Sequence, residues 1–375
     1  MPGSITHIIL KVAELCNLNC SYCYMYHHED TSYLLRPKFM SDEVFEHVLL
    51  RAKQYCERRG GYRLSLELHG GEPTLIGAER LAGLAQRARA VLGDALQDIC
   101  MQTNATLLDR RMIDVIKAER ILVGVSLDGT PEIHDAVRVD HAGRGSHAAA
   151  LRGIRLLQDA GLEPGVLSVV QPGADGLATY QYFRSIGITL MSYMMPDVSH
   201  DNKQQLYGQY GPTPVADYLL PIFDAWVRED NPRVRVKPFV GLVRMLLGGR
   251  TTDDTFGNPL LPYVVVETDG VIHGLDALRV CDQGIESSGL HVASHGFDDL
   301  HLGLPLVHKL VHEGIPLASS CRVCPEQQIC GGGYIPNRYA RANGFDNPSV
   351  WCQDILALIG HMRAYVLPGT QAATR

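Results

Sequence analysis

Residues 16–26 read CNLNCSYCYMY and place three of the chain's ten cysteines within eight positions. Cys16, Cys20 and Cys23 follow an apolar run, THIILKVA, whose composition predicts a first strand. Thiolates at this spacing can bind three irons of a cubane iron–sulfur cluster, which leaves the fourth iron open to a small molecule carrying amine and carboxylate groups. Zinc with a distant fourth ligand, or three unrelated thiols, are the alternatives that spacing alone leaves open.

The composition of the 375-residue chain restricts the class of protein. Its 34 basic and 41 acidic residues give a net charge of −7 and form no basic stripe, so nucleic acid is not an expected partner. No stretch approaches the ~18 consecutive apolar residues of a membrane span, and the N-terminus lacks the features of a signal peptide. We therefore expect a cytoplasmic protein, in which clustered cysteines bind metal more often than they form disulfides.

Apolar runs alternate with helix-like stretches along the first half of the chain. RLSLELHGG, ILVGVSLDG, PGVLSVVQ and GITLMSYMMP are the strand-like runs after the first strand. Repeated strand–helix units predict an α/β fold with a parallel sheet, as a partial (β/α)6 TIM-like barrel or an open doubly wound sheet. We expect this domain to cover residues 1–200 and a helical bridge to cover 201–256. A small domain at 257–375 should contain a hairpin, YVVVETDGVIHGLD, and a closing helix, QDILALIGHMRAYVL.

Motifs at predicted strand ends make about residues 5–200 resemble the radical S-adenosylmethionine (SAM) superfamily. They are the three-cysteine motif, GGEP at 70–73, Asn104 in QTNATLL, VSLDG at 125–129 and Arg138 in HDAVRV. The resemblance implies a partial barrel and a 4Fe–4S cluster on Cys16, Cys20 and Cys23 that binds SAM. It further implies that Glu72 and nearby backbone hold the methionine amine, while Arg138 pairs with its carboxylate. The cofactor-binding residues implied in this way are Tyr22, Gly70, Gly71, Glu72, Pro73, Asn104, Ser126, Asp128 and Arg138.

A second cysteine group lies near the C-terminus, at Cys321, Cys324 and Cys330 in CRVCPEQQICGGGY and at Cys352. Four thiolates at this spacing fit zinc or a fully ligated 4Fe–4S cluster. The stretch resembles the SPASM domain of peptide-modifying radical SAM enzymes, which implies an auxiliary 4Fe–4S cluster. Leu275 and Tyr334 stand where that family carries cysteines for a further, inner cluster. We therefore predict two clusters rather than three.

Asp276 follows Leu275 at the end of the predicted hairpin. Related SPASM enzymes use an aspartate here to take a proton from the substrate, so Asp276 is the predicted catalytic base. An aspartate on the surface at the end of a hairpin is the alternative. Asp197 and His200, after the sixth strand, are further candidates for substrate contact.

Residues 330–352, CGGGYIPNRYARANGFDNPSVWC, resemble radical SAM peptide maturases that form cyclophanes. This resemblance implies that a 5′-deoxyadenosyl radical oxidatively crosslinks an aromatic ring to a β-carbon in a ribosomally made precursor peptide. An electron donor such as flavodoxin or ferredoxin would be a further partner. Ether or thioether links, epimerisation and sulfatase-type maturation of cysteine or serine remain alternatives, and a noncatalytic iron–sulfur or zinc protein is a more distant one.

Overall fold

The computed structural model describes residues 3–28, 30–251 and 253–368. Its strands are β1 (His7–Ala13), β2 (Leu64–Gly70), β3 (Leu96–Thr103), β4 (Ile121–Ser126), β5 (Gly165–Val169), β6 (Leu190–Met194), β7 (Arg235–Val236), β8 (Tyr263–Val266), β9 (Val271–His273) and β10 (Ser287–His291).

Helices connect most of these strands. The α-helices are α1 (Asp42–Arg58), α2 (Ala78–Leu92), α3 (Arg110–Ala118), α4 (Pro131–Val137), α5 (His147–Asp159), α6 (Gly176–Ser185), α7 (Lys203–Tyr207), α8 (Pro214–Glu229), α9 (Lys237–Leu246), α10 (Pro305–His308), α11 (Ser319–Arg322), α12 (Gln327–Cys330) and α13 (Cys352–Val366). Short 3-10 helices cover Ser32–Leu35, Pro73–Ile76, Gly93–Ala95, Asp276–Val280, Asp299–Leu302 and Pro336–Arg338, and a π-helical turn covers Lys309–Glu313.

The described residues divide into two compact units. The first unit contains residues 3–28, 30–127, 134–165 and 260–314, and the second contains 128–133, 166–251, 253–259 and 315–368. The predicted hairpin at the start of the C-terminal domain thus groups with the first half of the predicted barrel. The domain borders predicted at residues 200 and 256 stay a prediction, and residues 369–375 of the last domain lie outside the described residues.

In the first unit, the strands follow the order β10-β9-β8-β1-β2-β3-β4. β1 to β4 are parallel, as predicted from the repeated strand–helix units, and β8 adds to β1 in the same direction. β9 returns antiparallel to β8, so the predicted hairpin forms. Parallel strands bring their carboxyl ends to one edge of a sheet, and here that edge carries the residues that follow β1, β2, β3, β4 and β8.

In the second unit, β5, β6 and β7 run parallel. The Asp354 carboxylate on α13 accepts hydrogen bonds from the backbone N–H groups of Val215 and Ala216, at 2.7 and 2.9 Å. These two N–H groups belong to the first turn of α8, where helix donors otherwise lack partners. The predicted closing helix therefore forms and caps the helix beside it.

Side-chain caps explain where several helices begin. Ser41, the predicted start of α1, accepts a hydrogen bond from the N–H of Val44, and Asp109 and Asp175 do the same at α3 and α6. Across residues 3–28, 30–251 and 253–368, no helix is both long and apolar enough to cross a membrane.

Candidate active site and cysteine groups

The first cysteine group lies in the loop after β1. A tight turn orders this loop, because the Cys23 N–H donates to the carbonyl of Cys20 and the His27 N–H donates to that of Cys23, both at 3.1 Å. Burial raises the pKa of the Cys16 thiol to about 12, and the nearby Cys20 and Cys23 add to this effect. Neutral buried thiols become thiolates when they bind metal, so this group fits a positively charged centre.

The turn after β2 passes against the base of the cysteine loop, and this close approach explains two of its glycines. Gly70 has a φ of 138°, and a Cβ there would lie 2.0 Å from the carbonyl oxygen of Ala13. A Cβ on Gly71 would lie 2.1 Å from the Tyr26 hydroxyl and 2.3 Å from the carbonyl oxygen of Leu15. The glycines let the two loops touch, so they support the shape of the site whether or not they also contact SAM.

Glu72 is 1 % exposed and holds the ends of β2 and β3 together. Its carboxylate accepts hydrogen bonds from the N–H and hydroxyl of Thr74, from the Thr103 hydroxyl and from the Asn104 N–H. Burial raises the pKa of Glu72, and these donors oppose that rise. Pro73 then begins the 3-10 helix that Glu72 caps. Both carboxylate oxygens already accept hydrogen bonds from neighbouring residues of the protein, so the predicted contact of Glu72 with the methionine amine stays a prediction.

Arg138 and Asn104 place polar nitrogen atoms beside the cysteines. Arg138 Nη1 lies 4.0 Å from the Cys20 sulfur, and its guanidinium lies 5.4 Å from the centre of the Tyr22 ring. Asn104 Nδ2 lies 3.9 Å from the Cys16 sulfur and donates to Asn17 Oδ1 at 2.9 Å. Arg138, Asn104 and the first cysteine group are therefore brought together, as the sequence predicted.

The remaining predicted SAM contacts have partners of their own. The Ser126 hydroxyl at the end of β4 accepts a hydrogen bond from Gln102 Nε2 at 2.9 Å. Asp128 is fully buried, and its Oδ1 accepts from the Val169 N–H at 2.9 Å. Asp128 therefore has a structural partner at the end of β5, and its role toward SAM stays a prediction.

Asp276 belongs to a buried polar group that the sequence did not predict. Its Oδ2 accepts from the Lys11 ammonium at 2.5 Å and from the Tyr24 hydroxyl at 2.7 Å. Burial is the largest single influence and acts to raise the pKa of this carboxyl, but Lys11, His69 and the Tyr24 hydroxyl together outweigh it and hold the pKa well below its usual range. The predicted base is thus an ionised, largely buried carboxylate rather than a surface group. Lys11 carried a signal in the sequence, as a charge inside the apolar run IILKVA.

A second buried group of charges surrounds Arg279, which is fully buried. Its guanidinium lies 2.7 Å from Glu267, 3.5 Å from Asp30 and 3.8 Å from Glu286, all of which are also fully buried. Burial and the charge on Asp30 raise the pKa of Glu286 to about 8, whereas Arg279 lowers it. No local sequence motif predicts this group of charges, because its members come from four separate segments of the chain.

The second cysteine group lies in the second unit. Burial raises the pKa of the Cys330 thiol to about 12, and the neighbouring Cys352, Cys321 and Cys324 add to the rise, so all four thiols lie near one another. The buried guanidinium of Arg338 lies close to Cys321 and Cys330, which oppose the lowering of its pKa by burial. The four predicted cysteines therefore lie near one another, with the Arg338 guanidinium beside two of them.

The two positions predicted to lack inner-cluster cysteines hold buried residues. Leu275 is 2 % exposed in the first unit, and Tyr334 is 7 % exposed in the second. Among the described residues, no three His, Cys, Asp or Glu side chains converge on a single metal ion. A cubane cluster binds each cysteine through a different iron, so its ligands stand farther apart than those of one zinc ion. Thiolates are the ligands that iron–sulfur clusters use, so the residues of both groups have the chemistry that such clusters need.

Comparisons with known proteins agree with this chemistry. Residues 10–175 match the Radical SAM superfamily. The chain is 24% identical over 352 residues to a cysteine-type anaerobic sulfatase-maturating enzyme of Clostridium perfringens, covering 92% of this chain and 93% of the relative. It is 25% identical to a serine-type enzyme of Bacteroides thetaiotaomicron, covering 96% of this chain and 89% of the relative.

Solved structures show the same fold. Native anSMEcpe with bound AdoMet superposes with a TM-score of 0.81 at 23% identity, covering 96% of this chain and 97% of that one. Streptococcus suis SuiB with bound S-adenosylmethionine gives a TM-score of 0.59 at 14% identity, with 89% and 74% covered. The predicted α/β fold, a parallel partial barrel followed by a C-terminal part with a closing helix, is confirmed. The chain therefore carries a radical SAM domain at residues 10–175, and the prediction of a radical SAM enzyme is confirmed.

Proposed function

We propose that this chain is a maturase that uses SAM to oxidise a side chain of a polypeptide substrate. The observation that supports it most is the grouping of Cys16, Cys20 and Cys23 with Arg138 and Asn104 at the carboxyl edge of a radical SAM domain. Similarity over nine-tenths of the chain to enzymes named as sulfatase-maturating adds the class of substrate. Related structures that contain bound peptides give the same indication.

In this proposal, Cys16, Cys20 and Cys23 hold a 4Fe–4S cluster and leave one iron for SAM, while Cys321, Cys324, Cys330 and Cys352 hold a second cluster. When bound, the first cluster and SAM supply a carbon radical that takes hydrogen from an unactivated C–H bond, and the second cluster supplies an electron acceptor. Arg138 binds the methionine carboxylate through its guanidinium fork. A donor such as flavodoxin or ferredoxin supplies the starting electron.

Asp276 is the group we assign to accept the proton that the substrate loses. Because Lys11 and Tyr24 hold its Oδ2, the carboxylate has a fixed orientation and is charged before the substrate arrives. A fixed and ionised acceptor needs no rearrangement during the reaction. Hydrogen transfer to the SAM-derived radical, proton transfer to Asp276 and electron transfer to the acceptor together amount to a two-electron oxidation.

The comparisons favour sulfatase-type oxidation of a cysteine or serine to an aldehyde over the cyclophane crosslink that the sequence first indicated. The crosslink remains the second candidate because of the buried Leu275 and Tyr334. Neither residue is a cysteine, so the chain offers thiolates for one auxiliary cluster, whereas complete SPASM domains carry cysteines for two.

The test is anaerobic coexpression with two sets of peptides, followed by mass spectrometry. One set carries a single cysteine or serine, and the other is made of short open frames neighbouring the gene that carry aromatic residues. An aldehyde reacts with a hydrazide probe, whereas a crosslink loses two hydrogens without gaining that reactivity. Both products require 5′-deoxyadenosine formation. If SAM is cleaved but every peptide keeps its mass, the oxidation proposal is wrong for these peptides, and chiral analysis of their residues decides between epimerisation and another partner. If SAM is not cleaved, the whole proposal fails.

A further inference from the structure

Lys11 is fully buried in the middle of β1, where its neighbours in the chain are apolar. Burial of an ammonium is costly, and apolar side chains in place of a buried ion pair often stabilise a protein. A buried lysine in a strand is therefore not expected to stabilise the folded protein. Its role must come from what the ammonium does to the groups around it.

The Lys11 ammonium has three N–H donors, and three oxygen or nitrogen acceptors surround it. Nζ lies 2.5 Å from Asp276 Oδ2, 3.1 Å from the Tyr24 hydroxyl and 3.2 Å from His69 Nδ1, and the weakly accepting sulfur of Met25 is a fourth neighbour at 3.8 Å. Because Tyr24 accepts from Lys11, its own proton is available for Asp276, to which it donates at 2.7 Å. One ammonium thus fixes the direction of three polar side chains.

The effect of the ammonium is largest for His69, the last residue but one of β2, directly before Gly70. Its Nδ1 accepts a hydrogen bond from the Lys11 ammonium and another, at 2.8 Å, from the backbone N–H of Gly70. Both partners can only donate, so Nδ1 must be the unprotonated nitrogen and the ring proton lies on Nε2. Burial and the Lys11 charge lower the pKa of His69 to about 3, which keeps the ring neutral.

The Nε2–H of His69 has no hydrogen-bond partner among the described residues, although the side chain is only partly buried. It is a neutral donor of fixed direction, held by the same ammonium that holds the Asp276 carboxylate. A neutral N–H donor can pair with a carbonyl oxygen, and a carbonyl oxygen is the acceptor that every residue of a polypeptide carries.

We propose that His69 binds a carbonyl oxygen of the polypeptide substrate through Nε2–H, and that Lys11 is the positioning residue that fixes this donor beside Asp276. This inference rests on the proposed function for its ligand, but the tautomer of His69 does not depend on it. It assigns Lys11 and His69 to substrate alignment rather than to the clusters or SAM.

The first test measures the tautomer without substrate or activity. Among the signals of the sixteen histidines, nitrogen-15 NMR of histidine-labelled protein should contain one from a neutral ring with its proton on Nε2 that is absent from the His69→Gln variant. In Lys11→Met, the Nδ1 nitrogen loses a charged donor, so the signal should shift or split into two tautomers. A His69 ring protonated on Nδ1 in the parent protein overturns the inference.

The second test uses a peptide that the parent chain modifies in the coexpression experiment. His69→Leu should raise the KM for that peptide about 5- to 10-fold, as expected for one neutral hydrogen bond, and leave the KM for SAM unchanged. His69→Gln should restore most of the affinity, because its amide can accept from Lys11 and donate to the substrate. His301→Leu, at an exposed histidine of the same unit, is the matched control.

The outcomes separate the two claims. Equal peptide KM values for parent, His69→Leu and His69→Gln overturn the binding role of His69, even when the parent modifies its peptide. A parallel loss of SAM affinity or of iron in His69→Leu shows a structural role and also overturns it. If the parent cleaves SAM and modifies no peptide, the proposed function fails, and the NMR result decides the Lys11–His69 arrangement by itself.

Discussion

The two cysteine groups differ in the number of thiols and in what stands next to them. Cys16, Cys20 and Cys23 form a set of three with polar side chains from Arg138 and Asn104 beside two of the sulfurs. The second group is a set of four, with the buried Arg338 as its charged neighbour. Three ligands leave a cubane cluster one iron for a substrate, whereas four ligands close it. Under the proposed function, this difference assigns the chemistry to the first group and electron transfer to the second.

The strongest test of this comparison is Cys16→Ala. Loss of one of three ligands should destroy the open cluster, because a cubane held by two cysteines has no replacement here. We expect 5′-deoxyadenosine formation to fall to background and the iron content to fall from about eight to about four atoms per chain. Cys56→Ala, at a buried cysteine of α1 outside both groups, should keep both values. Persistent SAM cleavage in Cys16→Ala would show that the open cluster lies elsewhere.

The opposite pattern is expected for Cys352→Ala. This change opens the second group and leaves the first one intact, so SAM cleavage should stay within about threefold of the parent while peptide product disappears. Iron should again fall by about half. Cys281→Ala, at a buried cysteine of the first unit, is the control. Full product formation by Cys352→Ala would contradict the assignment of an electron acceptor to the four-cysteine group.

A smaller effect is expected for Arg138→Ala. Loss of a charge-assisted contact to the methionine carboxylate should weaken SAM binding about 10- to 100-fold and leave the iron content unchanged. Arg138→Lys keeps the charge but not the planar fork, so its affinity should lie between the two. Binding of SAM to the reduced protein, followed by spectroscopy of the cluster, measures this directly. Equal SAM affinity in all three proteins would leave Arg138 as a packing residue near Cys20.

The smallest effect concerns the buried charges of the first unit. Glu286 has a pKa of about 8 in the folded protein, whereas a glutamate in the unfolded chain has a pKa of ~4.3. The folded state binds more protons in this window, so stability should fall as the pH rises from about 5 to 8. Glu286→Gln removes this titration.

The readout is the melting temperature of the anaerobic protein at one scan rate across that pH range. The slope of the melting temperature against pH should be smaller for Glu286→Gln than for the parent protein. Glu163→Gln, at an exposed glutamate, should follow the parent. Parallel curves for all three proteins would mean that Glu286 is ionised in the folded state.

Local sequence patterns predicted much of the fold. The alternation in RLSLELHGG became β2, the cap at Ser41 started α1, and YVVVETDGVIHGLD folded as the hairpin of β8 and β9. Each of these signals depends on residues close together in the chain, where periodicity and capping act directly. The cysteine motifs could be recognised for the same reason, since most of their ligands come from one loop.

The polar groups that orient the site could not be recognised in this way. Lys11, Tyr24, His69 and Asp276 come from β1, the cysteine loop, β2 and the 3-10 helix after β9. Asp276 was singled out only through a resemblance, and its ion pair with Lys11 was not foreseen. The buried group around Arg279 could not be predicted from the sequence. The identity of a charged residue does not show whether its side chain will be buried or which residue it will pair with.

The sequence by itself determined which chemistry this chain carries, because thiol spacing, glycine turns and strand periodicity are properties of neighbouring residues. Only the tertiary structure decided the charge and direction of the groups beside that chemistry. Tertiary packing brings Lys11 on β1, His69 on β2 and Asp276 after β9 together, and the Lys11 charge then lowers the pKa of both Asp276 and His69. This effect exists only where distant segments pack together.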